Sequence, residues 1–333
     1  MSFIEGIPKA ELHLHLEGTL EPELKLALAE RNDVALPART VEAMRAAYDF
    51  HDLPSFLSVY YEGMSVLISE EDFFDLTYAY LVKAQSQNVR YAEMFFDPQA
   101  HTSRGLSFET VIRGIHRAQE QGRADLGIET QLIMCFLRDM TAGSASEALA
   151  QSLPYGEWIV GVGLDSDEKG NPPVKFIDVF AEARRKGYRL TMHCDVDQDD
   201  SVEHIWQCLD DVGVERIDHG VNSLEDDRLI DELRTRGVAL TVCPISNSYV
   251  TEGTKASAIK EMLDRGLKVT INSDDPAYFP GYMTENLIVA QREGGLTRDD
   301  LIQLSRNAFE AAWISDDQRR PYLEELAAYS TRF

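Results

Sequence analysis

The sequence of 333 residues contains no stretch approaching the ~18 to 20 uninterrupted apolar residues of a membrane-spanning helix. Its opening, MSFIEGIPKAELHLHLEG, lacks the basic start and apolar run of an export signal. A soluble, cytoplasmic protein with no membrane partner is the expectation. Cysteine is scarce: Cys135, Cys194, Cys208 and Cys243 are scattered without a CxxC pair, which suits reduced thiols better than a disulfide framework. Basic residues are also few, 32 Lys and Arg against 57 Asp and Glu, so the formal net charge of −25 repels phosphate backbones and argues against nucleic acid as a partner. No low-complexity tract, long Pro/Ser/Gly linker or solenoid repeat divides the chain. A composition 44% hydrophobic excludes a disordered tail or a collagen-like fibre, and the length suits either two domains or one large barrel.

What is present is an alternation. Short runs rich in β-branched and apolar residues alternate with stretches of helical periodicity, the pattern of a parallel βαβ sheet. Eight strands are expected: 11–17 (ELHLHLE), 89–96 (VRYAEMFF), 129–137 (ETQLIMCFL), 159–165 (IVGVGLD), 189–195 (RLTMHCD), 216–220 (RIDHG), 238–246 (VALTVCPIS) and 268–275 (KVTINSDD). Eight closes a barrel, so the expected fold class is α/β, a (β/α)₈ TIM barrel forming one domain over residues 1–333. The long span 18–88 then becomes an elaborated helical first crossover, with helices in PELKLALAERN and EDFFDLTYAYLVKAQSQN. A doubly wound open sheet would bind at a single switch point and would not need chemistry on both the first and last strands.

Polar residues end nearly every expected strand: His13 and His15, Asp97, Arg138, Asp165, His193, His219, Ser246, Asp274 and Asp275. In a barrel these strand ends share one face, so the side chains converge. His13 and His15 stand two apart, and strand alternation points them to the same side, where they can grip one ion. With His193, His219 and the Asp274–Asp275 pair, the chain offers the nitrogen and oxygen ligands of a zinc ion that keeps a position for water.

The segments PKAELHLHLEGTLEPEL, FFDPQAH, VGVGLDS, RIDHG, LTVCPISN, VTINSDDPAYF and TENL resemble the adenosine deaminase branch of the amidohydrolase superfamily, and within it the bacterial adenine deaminase group. The resemblance implies a barrel with one catalytic Zn²⁺ per chain, ligated by His13, His15, His193 and Asp274. It also implies that His219 orients the nucleophilic water, that Asp275 meets the purine near N7, and that Gly163 offers a backbone donor to the ring. Glu17 stands where nucleoside deaminases place a shorter acidic residue near the ribose, so its larger side chain reads as selecting the free base. The reaction implied is hydrolytic deamination of a purine base at C6. Strand four carries no lysine of the kind that bridges two metals in related hydrolases, which favours a single ion. The HLE string also fits half of the HxE plus PCxxC signature of another zinc deaminase class, but no PCxxC accompanies it.

One position breaks the family pattern. Purine deaminases of this family carry HAGE after strand five, with a glutamate that protonates the ring; here the string is HCDVDQDD and the matching position is Val196. General acid catalysis is worth about 10²- to 10⁴-fold. Asp195, two residues after His193, is the expected replacement, with Asp197 as runner-up; a changed substrate, such as an N6-substituted adenine, is the third reading. Two alternatives stand beside the main one: a metal hydrolase of another aminated heterocycle, and a non-catalytic metal-binding homologue. His51, His116 and His204 read as surface or packing residues, His101 as marginal, Phe95 and Phe96 as divided between core and stacking, and Asn247 as a supporting group. Oligomeric state is open, a homo-oligomer included.

Overall fold

The computed structural model describes residues 2–194 and 196–332. Its strands are β1 (Lys9–Glu11), β2 (Val89–Phe96), β3 (Glu129–Leu137), β4 (Ile159–Asp165), β5 (Arg189–Cys194), β6 (Arg216–His219), β7 (Ala239–Val242) and β8 (Lys268–Ile271). They pair in parallel in sequential order. β2, β3 and β4 coincide with the runs read from the sequence, because each is a long apolar stretch buried on both faces. The fold is a (β/α)₈ TIM barrel.

Strands β1 and β8 are shorter than expected, and their ends show why. The Leu12 amide donates to the side chain of Asn272 at 2.8 Å, where a neighbouring strand would otherwise accept. Backbone pairing resumes beyond this break, through bridges from Leu14 to Asp274 and from His15 to Phe95. The amide of Asp274 donates to the His13 carbonyl at 3.1 Å, and that of His15 to the Asp274 carbonyl at 3.0 Å. The seam that closes the barrel therefore runs through the residues expected to hold the metal. β7 stops at Val242 because Pro244 opens a helix, Pro244–Val250, where its fixed φ and missing N–H cost nothing.

The first crossover contains helices Pro22–Arg31, Val41–Ala46, Leu53–Gly63 and Glu70–Ser86. Asp52 caps the third through the amide of Ser55, and Ser69 caps the fourth through that of Asp72. The carboxylate of Asp72 in turn accepts from Ser69 N (2.7 Å), Ile68 N (2.9 Å) and Asn32 Nδ2 (2.9 Å), which pins two helices of the crossover together. Leu53–Gly63 lies across the barrel mouth and buries Phe56 and Tyr60. At the opposite end Trp313 packs with Phe95, Ile133 and Cys135 inside the barrel.

Candidate active site

Four strands deliver the central cluster. His13 and His15 follow β1, His193 lies in β5, His219 ends β6 and Asp274 follows β8. Ligand atoms of His13, His193, His219 and Asp274 all lie within 4.8 Å of one another. The Nε2 atoms of His15 and His193 are 3.1 Å apart, as are those of His193 and His13. Asp274 Oδ1 stands 3.1 Å from His13 Nε2 and 3.4 Å from His15 Nε2. The far nitrogens all face acceptors: His13 Nδ1 lies 2.9 Å from Thr241 Oγ1, His193 Nδ1 3.0 Å from the Leu164 carbonyl, and His15 Nδ1 3.4 Å from Asp165 Oδ2. Rings so oriented turn their Nε2 lone pairs toward one point. Lone pairs crowded this closely beside a carboxylate repel unless a cation lies among them, and three nitrogens with one oxygen fit a divalent zinc-like ion.

Burial and neighbouring charge divide the titratable groups. Burial, reinforced by His13 and His15, holds the imidazole of His193 well below its usual range. Burial likewise pulls His219 down to about 4, so both rings are neutral at pH 7. For His15 burial is outweighed by Asp275, Asp274 and Asp165, which lift it to about 10. Burial would raise Asp274, but His13 and His15 hold it well below the usual carboxylate range. Asp275 and Asp97 are pushed well above that range, chiefly by burial and then by neighbouring carboxylates, and burial lifts Asp165 to about 6. Carboxyls with such different affinities for protons in one cleft are what acid–base chemistry requires.

Above the cluster opens a cleft of about 700 Å³, its mouth included. His15, His193, His219, Asp274 and Asp275 form its floor, Asp97, Asp165, Ser166 and Glu168 one wall, and Phe56, Tyr60, Tyr61 and Phe279 an aromatic cover suited to a flat ring. No lysine or arginine is among the described residues that line it. Asp97 Oδ1, Asp165 Oδ1, Asp275 Oδ1, His219 Nδ1 and the Tyr60 hydroxyl are buried without a hydrogen-bond partner, so the cleft offers unused polar atoms to a ligand. His219, Asp274 and Ser166 also hold left-handed backbone, with φ of 59°, 64° and 77°, a strain that side chains rarely adopt and that concentrates at functional sites.

The structure brings together His13, His15, His193, His219, Asp274 and Asp275 as the sequence suggested. Glu17 and Gly163 stand back from the cleft. Glu17 Oε1 accepts from the Asp97 amide at 3.1 Å and faces His101 Nε2 at 2.9 Å, which makes it a buttress behind the wall. Gly163 lies within β4, where an added Cβ would meet Cys135 Sγ at 2.6 Å; Ser166, three residues on, reaches the wall instead. Asp195 lies outside the described residues. Asp197 does not line the cleft: it pairs with Lys255 Nζ at 2.5 Å, and its amide donates to Asn222. Val196 and Gln198 do line it. The sequence signal for the helical part of this aromatic cover is the Asp52–Ser55 capping box, and Phe279 follows the Asp274–Asp275 pair.

Residues 8–329 match the adenosine deaminase family. An uncharacterized deaminase of Schizosaccharomyces pombe is 56% identical, over 99% of this chain and 98% of its own. The adenine deaminase of Chlorobium phaeobacteroides is 48% identical, over 98% of each. Among solved structures, the adenine deaminase of Arthrobacter aurescens superposes with a TM-score of 0.94 at 43% identity, covering 98% of this chain and 100% of that one. An amidohydrolase of Burkholderia ambifaria with bound zinc superposes with a TM-score of 0.90 at 25% identity, over 99% of this chain and 93% of the other. No helix among the described residues is long and apolar enough to cross a membrane.

Proposed function

This chain belongs to the adenosine deaminase family and is a metal-dependent hydrolytic deaminase of purines, and from that premise we propose that it acts on a free base, adenine or a close aminopurine, at C6, as one catalytic unit over residues 1–333 with one zinc ion per chain. The observation that carries the reading is the meeting of three imidazole Nε2 atoms and Asp274 beneath a cleft walled by carboxyls and free of basic side chains among its described residues. Such a wall accepts the N–H groups of a base and repels a phosphate.

His13, His15, His193 and Asp274 would hold the ion, whose chemistry when bound is to make water acidic enough to be a nucleophile near neutral pH, at about pKa 7. His219, neutral and 3.8 Å from Asp274 Oδ2, orients the attacking water and takes its proton. Asp275, on the floor with a free Oδ1, meets the five-membered ring near N7. Asp195 supplies the proton that a ring nitrogen needs as oxygen adds to C6. The new C–O bond forms, His219 passes the water's proton to the exocyclic nitrogen as the C6–N bond breaks and ammonia leaves, the ring keeps its new N–H, and the remaining hydroxyl proton returns to Asp195 as the C6 carbonyl forms. Phe56, Tyr60 and Phe279 cover the ring and exclude bulk water.

The test is metal content followed by ammonia release from adenine, N6-methyladenine, adenosine and AMP. The reading expects about one zinc per chain and fastest turnover with a base. AMP as the preferred substrate, or full activity after the metal is stripped, would overturn it.

A further inference from the structure

Beneath the ligand cluster, inside the barrel, lies a carboxylate with no place in the reaction so far. Asp218 is fully buried in β6 and registers with His193 on one side and Thr241 on the other. Its Oδ2 accepts from Thr191 Oγ1 at 2.6 Å, and its Oδ1 accepts from Thr241 Oγ1 at 2.9 Å. Arg216 Nε stands 3.8 Å from Oδ1, and the same guanidinium donates to Glu93 Oε2 at 2.6 Å, so the buried charge is not isolated. Asp218 Oδ2 is also 3.6 Å from His193 Nδ1.

We propose that Asp218 is a positioning residue for the metal site, acting through the hydroxyl of Thr241 to fix the ring of His13. A threonine hydroxyl has one proton to donate, and here that proton goes to the Asp218 carboxylate. Only lone pairs then remain to face His13 Nδ1, 2.9 Å away, so that nitrogen must carry the hydrogen. A neutral ring protonated at Nδ1 presents a lone pair at Nε2, the atom that meets Asp274 Oδ1 and His193 Nε2 at 3.1 Å. One carboxylate thereby sets the tautomer and orientation of His13 and lies behind a second ligand ring, His193.

The inference rests on the metal-dependent reading above, and its test reads the metal directly. Thr241→Val keeps the volume and removes the hydroxyl, Thr241→Ser keeps the hydroxyl, and Asp218→Asn keeps the shape and removes the charge. Outer-shell partners of this kind are worth about 10- to 100-fold in metal affinity. Zinc retention against a graded chelator should therefore fall by about that factor in Thr241→Val and Asp218→Asn and stay near wild type in Thr241→Ser. The visible spectrum of the cobalt-substituted protein should shift in the first two and not in the third. If Asp218→Asn fails to fold, the two Thr241 variants decide the matter alone. Thr241→Val holding zinc as tightly as wild type, or Ser and Val weakening it equally, overturns the inference while leaving the function standing. A wild-type protein that binds no divalent ion overturns both, and one that binds zinc by this pattern but releases no ammonia from purines overturns only the function.

Discussion

The two ends of the barrel both bury charge, and they treat it in opposite ways. Toward the N-terminal ends of the strands the carboxylate of Glu93 is matched, while Arg216 keeps Nε and Nη2 without a hydrogen-bond partner. Glu93 accepts from the Tyr91 hydroxyl (2.8 Å), Arg216 Nη1 (2.6 Å) and the Trp313 amide (2.5 Å), while the guanidinium of Arg216 stacks on the Trp313 ring. The ammonium of Lys9 finds three carbonyls, those of Gln87 (2.8 Å), Ile7 (3.0 Å) and Glu5 (3.2 Å). Toward the C-terminal ends Asp97 Oδ1, Asp165 Oδ1 and Asp275 Oδ1 are buried without hydrogen-bond partners, and Ser166, Asp197, His219 and Asp274 hold left-handed backbone. Matched polar groups hold a fold in one arrangement; unmatched ones are stability withheld until a ligand supplies the missing partners.

Substitutions at the two ends should separate turnover from stability. Asp195→Asn is expected to lower kcat by about 10²- to 10⁴-fold at equal zinc content. Most activity surviving would remove Asp195 from the mechanism. At the lower end, Glu93→Ala leaves the Arg216 charge buried without its partner and should cost about 3 to 5 kcal/mol in chemical denaturation, while the folded fraction keeps its KM. A smaller loss would show that stacking on Trp313 suffices for Arg216. A gentler probe is Lys9, whose pKa burial lowers to about 7 from 10.5. Between those values the unfolded chain binds a proton that the native one does not, so wild-type stability should rise with pH through that window, and the penalty is fully present below about 7. From pH 7.5 to 9.5 the gain relative to Lys9→Met should be about 2 kcal/mol. Parallel stability curves for the two proteins would mean that the three carbonyls keep the ammonium charged.

The same contrast explains what the sequence could and could not convey. The ligands were legible because His13, His15, His193, His219 and Asp274 are polar residues at the ends of apolar strands, where periodicity alone has no use for them. Asp218 and Thr241 were not, since one polar residue inside a short strand reads as an ordinary interior position until the register with its neighbours is known. Glu17 belongs to the same HLHLE string as the ligands, yet its side chain turns to His101 because a short 3₁₀ turn, Glu17–Thr19, takes the chain off the strand direction. β1 read as 11–17 for a related reason: alternation continues through the residues, but a side-chain amide from Asn272 interrupts the ladder, and no local pattern announces a partner 260 residues away.

Two aspartates of one acidic string compete for a single role. Asp197 shares the acidic string with Asp195, and by sequence either could stand in for the missing glutamate. In the structure Asp197 has left-handed backbone at φ 60°, a partly exposed carboxylate and an ion pair with Lys255. Exposed pairs of this kind contribute about 0 to 1 kcal/mol, so Asp197→Asn should change stability by no more than that and leave kcat/KM for the preferred base within about threefold. A carboxylate held by a cation at the rim cannot also deliver a proton to a ring on the floor. A large kcat loss in Asp197→Asn with Lys255→Met unaffected would therefore show that the loop rearranges around substrate, and would move the acid from the one aspartate to the other.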